Sequence, residues 1–232
     1  MANRKSSKKG GFIVLDGTDG SGKATQIKLL AARLRKSGRQ VVIEDFPQYG
    51  RKSAGLAEEY LNGKYGTANQ LGPFIPSVFY AVDRFAARDR IRKNLALGKI
   101  VLANRYVTAN MGHQGAKLKN RRERQDFFHW AEKLEYGFFK IPKPNQTILL
   151  YVPAKIAQKL VGNKKPRAYV RGKKLDLHEA DLDHLARAAD TYRQMHEYFR
   201  YPLIDCAPGG SLLSRKEALE LIWREVQKVL RP

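Results

Sequence analysis

Residues 12–26 read FIVLDGTDGSGKATQ, and three chemistries follow one another along them. A run of apolar residues, Phe12–Leu15, ends on Asp16. A glycine-rich turn comes next, with Gly17, Gly20 and Gly22. Lys23, Ala24 and Thr25 then open a segment in which Ile27, Leu30, Ala31 and Leu34 recur at the spacing of one helix face. Strand, glycine turn and amphipathic helix in that order are the setting of a phosphate-binding loop. Gly17 and Gly22 are five apart and Lys23 follows, as such a loop requires. Glycines let successive backbone N–H groups converge on an anion, because the chain there turns too tightly for a bulkier residue. The helix N-terminus adds its dipole, and Lys23 adds a point charge for the transferring phosphoryl group. Gly17, Thr18, Asp19, Gly20, Ser21, Gly22, Lys23, Ala24 and Thr25 are therefore the candidate ATP-binding residues.

One position departs from the usual loop. Ala24 stands where a Ser or Thr hydroxyl ordinarily touches Mg²⁺. Thr25 is one residue on, rotated about 100° on an ideal helix, and so is not an obvious replacement. The nearest acids are Asp19 in the loop and Asp16 at the strand end. They are the candidate metal ligands, Asp16 through water. Asp16 has a second reading, as a cap for local backbone.

Beyond the loop, "VVIEDF" (41–46), "IVLAN" (100–104), "TILLYV" (147–152) and "PLIDC" (202–206) repeat the pattern of "FIVLD" (12–16). Continuous runs of this kind suit strands buried on both faces. Helical stretches lie between them. Gly38 is placed as a helix C-cap. Ser214 with Glu217 three residues on forms a capping-box pattern before the last helix. The fold class is α/β: a doubly wound, parallel five-stranded sheet with helices on both faces, of the P-loop type. Ligands in such sheets bind outside the carboxyl ends of the strands, which selects the residues after Asp16, Phe46 and Asn104. Residues 1–10 read as a flexible basic tail and 11–232 as one domain. A stretch at about 162–175, "GNKKPRAYVRGKK" through 174, carries six basic residues and no acid. It is either a solvated loop or a lid that closes on phosphates.

The bulk numbers agree with one cytoplasmic domain. The chain has 232 residues, enough for a single α/β domain. No apolar run is long enough to span a bilayer, so no membrane partner is expected. The one cysteine, Cys206, fits a reducing compartment and reads as a small core residue. Lys and Arg number 44 against 22 acids, a formal charge of +22. Such an excess favours phosphate-rich partners, either a nucleic-acid backbone or a small phosphorylated substrate. No nucleic-acid motif stands out.

Several segments, taken in order, resemble the thymidylate kinase family. They are the loop itself, "DFPQYG" (45–50), "YLNGKYG" (60–66), "FYAVDR" (79–84), "NRYVTANMGHQGAK" (104–117), and the basic segment followed by "DLHE" (176–179). The resemblance implies Mg-ATP as phosphoryl donor, thymidine monophosphate as acceptor, Mg²⁺ as cofactor and a homodimer formed through the helices flanking "FYAVDR". It implies that Phe46 packs near the sugar or base, that Tyr80 stacks on thymine, and that Arg84 donates to a thymine carbonyl. Stacking beside a fixed guanidinium suits a pyrimidine. Arg105 matches the family's arginine between donor and acceptor phosphates. Asn110 reads the amide edge of the base, and Gln114 falls beside it. His113 occupies an aromatic position against the 2′ carbon of the sugar, where an imidazole would be less strict against ribose.

Two departures accompany the match. Asn104 replaces an aspartate of the motif, and Gln48 replaces an arginine that grips the acceptor phosphate. Arg51 either restores that grip or is a surface residue. The loop has Gly20 where some members place an arginine, so the lid arginines, Arg167 or Arg171, are the candidate clamps on the transferring group, beside Lys23 and Arg105 as catalytic residues. Two other functions remain open from sequence. One is a kinase for another pyrimidine deoxynucleotide or a deoxynucleoside. The other is a basic P-loop protein that binds nucleic acid without kinase activity, although for the leading reading nucleic acid is not an expected partner.

Overall fold

The computed structural model of the chain describes residues 10–162 and 182–230. The proposed tail up to residue 9, and the proposed lid beyond Gly162 with Arg167 and Arg171, lie outside the described residues. Five strands form, each on one of the apolar runs: β1 (Gly11–Gly17), β2 (Val41–Asp45), β3 (Ile100–Asn104), β4 (Gln146–Tyr151) and β5 (Leu203–Asp205). All neighbours pair in parallel. The order is β2-β3-β1-β4-β5, so β1 sits in the middle and the chain winds both ways from it. β1 is buried along its whole length. β2 is an edge strand with Ile43 exposed, so only the inner strands fulfil the expectation of burial on both faces.

Helices connect the strands in the order α1 (Lys23–Lys36), α2 (Gly55–Leu61), α3 (Ala68–Leu71), α4 (Phe74–Ala96), α5 (Val107–Gly115), α6 (Arg121–Glu132), α7 (Ala154–Gly162), α8 (Leu182–Phe199) and α9 (Arg215–Leu230). A π-helical turn, Lys133–Phe138, extends α6. The strand side chains alternate between two cores. Phe12, Val14, Val101, Ala103 and Leu149 meet α4, α5, α6 and α8. Ile13, Leu15, Leu102, Ile148 and Leu150 meet α1 and α9. Parallel strands require such cover on both faces. The caps read from sequence are present. Gly38 adopts φ 77° just past the end of α1. At α9 the Ser214 backbone N–H donates to Glu217 and the Glu217 N–H donates back to Ser214 Oγ, at 2.8 and 3.2 Å. Cys206 is buried, and burial pushes its thiol up to about 11, so it is inert packing. Among the described residues no helix is long and apolar enough to cross a membrane.

Candidate active site

The glycine loop joins β1 to α1, and its shape is forced by its neighbours. Gly17 has φ 131°, and a Cβ there would stand 1.9 Å from the Leu150 carbonyl oxygen. Gly22 turns the chain into α1 with φ 83°, again a conformation suited to glycine. Thr18 stitches the loop to the end of β4: its N–H donates to Leu150 O, and its hydroxyl accepts from Val152 N–H, at 3.0 and 2.9 Å. Lys23 folds back over the loop and donates to the carbonyls of Gly17 and Thr18 at 3.0 and 2.7 Å. The ammonium is thus held where phosphate oxygens would meet it.

A cavity of about 440 Å³ opens at the carboxyl ends of β1, β2 and β3, where the alternation of strands and helices placed it. One wall is the loop and the start of α1, with Asp19, Gly20, Gly22, Lys23, Ala24 and Thr25. The other wall is Phe46, Tyr80, Arg84, Asn110, His113 and Gln114, with Arg105 among the lining residues. Of the residues singled out from sequence, Gly17, Thr18 and Ser21 shape the loop without lining the cavity. Asp16 and Arg51 do not line it either. Arg51 is exposed, so its surface reading is the one the geometry favours. Thr25 does line the cavity, despite its rotation from the position of Ala24.

Asp16 is wholly buried beneath the cavity, and both its oxygens are spent. One accepts from Gly17 N–H at 2.8 Å and the Tyr192 hydroxyl at 2.9 Å. The other accepts from the Thr108 hydroxyl at 2.7 Å and Tyr106 N–H at 3.3 Å. It ties β1, α5 and α8 together, which is the capping role in an extended form. Asp19 is the acid of the loop wall that lines the cavity. It forms an ion pair with Arg105. Arg105 has φ 65°, a left-handed conformation that costs a non-glycine residue. Its backbone N–H donates to Leu15 O at 3.0 Å. Burial opposes the guanidinium charge, and Asp19, Tyr192 and Asp16 more than offset it, so the group stays protonated. Arg105 also meets His113 Nε2 at 2.8 Å. Burial, with help from Arg105, pushes His113 down to about 3, against the pull of Asp19. The ring is neutral, and because a guanidinium only donates, Nε2 is the acceptor and Nδ1 carries the proton.

The second wall rests largely on side chains that sequence reasoning did not select. Arg84 is buried in a two-pronged pair with Glu135, Nε and Nη2 donating at 2.5 and 2.6 Å. Glu135 is fully buried on the π-helical turn. Burial opposes the Arg84 charge, and Glu135 raises its pKa above the usual value. Gln48 is not aimed into the cavity. Its amide donates to Asp83 and accepts from Arg90, which in turn pairs with Glu44. Asp83 also accepts from Gln48 N–H and Ser53, so it fixes the turn after Phe46. Asn104 donates to Asp45 at 2.8 Å across β3 and β2. Tyr49 and Asp45 line the cavity and were likewise not selected. The segment "DFPQYG" (45–50), which contains both, and Asn104, read as a lost aspartate, pointed to this neighbourhood without naming either residue.

The sequence model of the thymidylate kinase family matches residues 15–198. The chain belongs to the thymidylate kinase family. Thymidylate kinase from Mycobacterium tuberculosis is 28% identical over 185 residues, covering 79% of this chain and 85% of that one. A probable thymidylate kinase from Pyrobaculum calidifontis is 29% identical over 226 residues, covering 95% of this chain and 100% of its own. Among solved structures, thymidylate kinase from Candida albicans superposes with a TM-score of 0.72 at 18% identity, covering 96% of this chain and 94% of that chain, a likeness of fold. The activity of the family is ATP-dependent phosphorylation of thymidine monophosphate to the diphosphate, and the chain is a nucleoside-monophosphate kinase.

Proposed function

We propose that the cavity carries out in-line phosphoryl transfer from Mg-ATP to thymidine monophosphate, with the loop wall holding the donor and the Tyr80–Gln114 wall holding the acceptor. The observation that carries the acceptor assignment is a set of orphaned amides. Asn110 Oδ1 and both polar atoms of Gln114 are buried against the cavity with no hydrogen-bond partner among the described residues. Buried polar atoms left so are costly unless a ligand satisfies them. A pyrimidine edge offers the matching donor and acceptor. Tyr80 supplies a stacking face, and Arg84 keeps Nη1 outside its fork with Glu135 for a base carbonyl.

On the donor side, Lys23 would exchange the carbonyls of Gly17 and Thr18 for phosphate oxygens. Arg105 stands between the walls, where it would bridge donor and acceptor phosphates. The acceptor phosphate is already anionic at neutral pH, so positioning and charge stabilisation carry the catalysis. The residues present fit Mg²⁺ in a particular way. Among the described residues no three acidic, histidine or cysteine side chains converge into a cage. Mg²⁺ in kinases is held mainly by phosphates and water with one or two carboxylates. Two carboxylates line the cavity, Asp19 and Asp45. Asp19 lies on the loop wall and would share its charge between Arg105 and the ion, Asp16 has both oxygens committed, and Thr25 adds a hydroxyl on the same wall. Bound there, the ion would neutralise charge on the β- and γ-phosphates. Arg167 or Arg171 remains the proposed clamp from the segment outside the described residues. The homodimer is likewise part of this reading, supported by the exposed apolar face of α4.

A coupled ADP-release assay over a panel of nucleoside monophosphates tests the acceptor. Turnover confined to thymidine and deoxyuridine monophosphates supports the amide-edge reading. The second reading, another pyrimidine acceptor, draws on the same amides, which can present donor and acceptor in either order. Preferred turnover of deoxycytidine monophosphate would establish it in place of the first.

A further inference from the structure

Part of the +22 excess gathers at one rim of the fold. In a parallel sheet every strand starts on the same rim, opposite the rim that carries the active site. Four of the five strands are entered through segments that the structure describes, and none of these segments contains an acid. The end of α1 and the turn into β2, residues 35–40, carry Arg35, Lys36 and Arg39. The last turn of α4 and the turn into β3, residues 92–99, carry Arg92, Lys93 and Lys99. The approach to β4, residues 139–146, carries Lys140 and Lys143, and that to β5, residues 199–202, carries Arg200. Arg39 and Lys99 are half-buried, and the rest are exposed. Among the described residues, two rim cations pair with acids: Lys143 lies 3.1 Å from Glu132 of α6, and Arg92 lies 3.6 Å from Asp89 on α4 itself. They leave the rim strongly positive.

Two of these residues occupy places where a glycine would be cheaper. Gly38 and Gly98 make the turns into β2 and β3 with φ 77° and 73°. The equivalent turns into β4 and β5 are made by Lys140 and Arg200, with φ 50° and 58°. A long basic side chain is kept there at a conformational cost. Beside them lies a cleft of about 220 Å³, with Phe199, Tyr201 and Pro202 as its apolar lining, Gln146 and Thr147 as polar lining, and Lys143 and Arg200 as its charged members. Strands spaced about 4.8 Å apart put the turn into β2 roughly 20 Å from that into β5. A line of cations that ends at an aromatic and polar cleft fits a flexible chain of phosphates with a splayed base better than a flat surface.

We propose that the rim at the strand N-termini is a docking surface for single-stranded nucleic acid, separate from the kinase cavity. The shared chemistry is a phosphodiester backbone along the turns and a base at the Phe199–Tyr201 cleft. DNA and RNA strands of the same sequence, run in parallel, tell the two sources apart. Fluorescence anisotropy of a labelled twelve-nucleotide strand, titrated with the full chain between 25 and 200 mM salt, is the measurement. The expected result is binding that persists at saturating ATP and thymidine monophosphate, and that weakens with salt. A variant Lys36→Gln, Lys93→Gln, Lys143→Gln, Arg200→Gln should lose at least tenfold in affinity and flatten the log–log salt slope by about 3, four charges at roughly 0.7 each. A control variant, Lys28→Gln, Lys119→Gln, Arg122→Gln, Arg224→Gln, removes the same charge elsewhere and should change affinity less than threefold. Both variants should keep wild-type kinase turnover, which shows that they fold. Equal weakening by the two variants would overturn the proposal, because the charge would then act without a site. Displacement of the strand by the nucleotides would assign it to the kinase cavity instead. No binding to either strand, with or without binding to vesicles containing 30% phosphatidylserine, would also overturn it.

Discussion

At the scale of single residues, the molecule spends ionisable groups on holding shape as much as on chemistry. Asp16, read from sequence as a metal candidate or a cap, is a four-bond tie beneath the phosphate loop. Its partners Thr108 and Tyr192 are 92 and 176 residues away in the chain, so no local pattern announced them. Lys117 is a second case. Its Nζ donates to the Tyr60 hydroxyl at 2.9 Å and to the Gly72 carbonyl at 2.7 Å, bracing the turn after α5 against α2 and the turn before α4. Tyr60 meets Tyr80 edge-on, so the brace reaches the acceptor wall. Burial pushes Lys117 down to about 7 from 10.5. Between those values the unfolded chain binds the proton and the folded chain does not, so stability from this group rises with pH across the window and is lost as pH falls toward 7. Urea unfolding of the wild type and Lys117→Met at pH 7, 8 and 9 should therefore show the wild type gaining on the variant as pH rises. A constant difference would mean that Lys117 keeps its charge throughout.

At the scale of elements, what was legible followed periodicity, and what was hidden followed irregular backbone. The five apolar runs became the five strands, and the loop, α1 and the caps at Gly38 and Ser214 stand where spacing put them. The π-helical turn at Lys133–Phe138 could not be read this way. Its residues follow neither the helical nor the strand period, yet it delivers Glu135 to Arg84. The resemblance supplied Arg84 and Tyr80 because they lie on the long, regular α4, and it had nothing to say about their supports. Truncating one partner of a buried pair leaves the other charge uncompensated, at a cost of about 3–5 kcal/mol. Glu135→Gln keeps the shape but removes the charge and replaces one of the two acceptors with an N–H donor that faces a guanidinium N–H. Its expected effect is a rise in KM for thymidine monophosphate of tenfold or more, with KM for ATP unchanged, since Glu135 serves only the acceptor wall. Equal changes in both constants would show a general loss of structure rather than one confined to that wall.

At the scale of the whole molecule, α4 links the acceptor wall to the outside. Tyr80 and Arg84 face the cavity, while Ile75, Val78 and Phe85 are 51%, 37% and 40% exposed. With half-buried Val82 they fall at intervals of three, four and three, the spacing of a seam between two helices. An apolar stripe of this length on a chain of otherwise high charge calls for cover, and in the proposed homodimer the same stripe on a second copy would cover it with twofold symmetry. The excess of positive charge opposes association through the summed field. The apolar contact must outweigh that repulsion, and salt should strengthen the dimer by screening it. Val78→Glu places a charge at the centre of the stripe, within a turn of Tyr80. Sedimentation velocity should find the wild type dimeric, more completely so at 300 than at 50 mM salt, and the variant monomeric at both. Because α4 carries residues of the acceptor wall, the monomer should also bind thymidine monophosphate more weakly, by several-fold in KM. A wild type that sediments as a monomer at micromolar concentration would remove the dimer, and a monomeric variant with unchanged kinetics would show that the interface and the acceptor wall are independent.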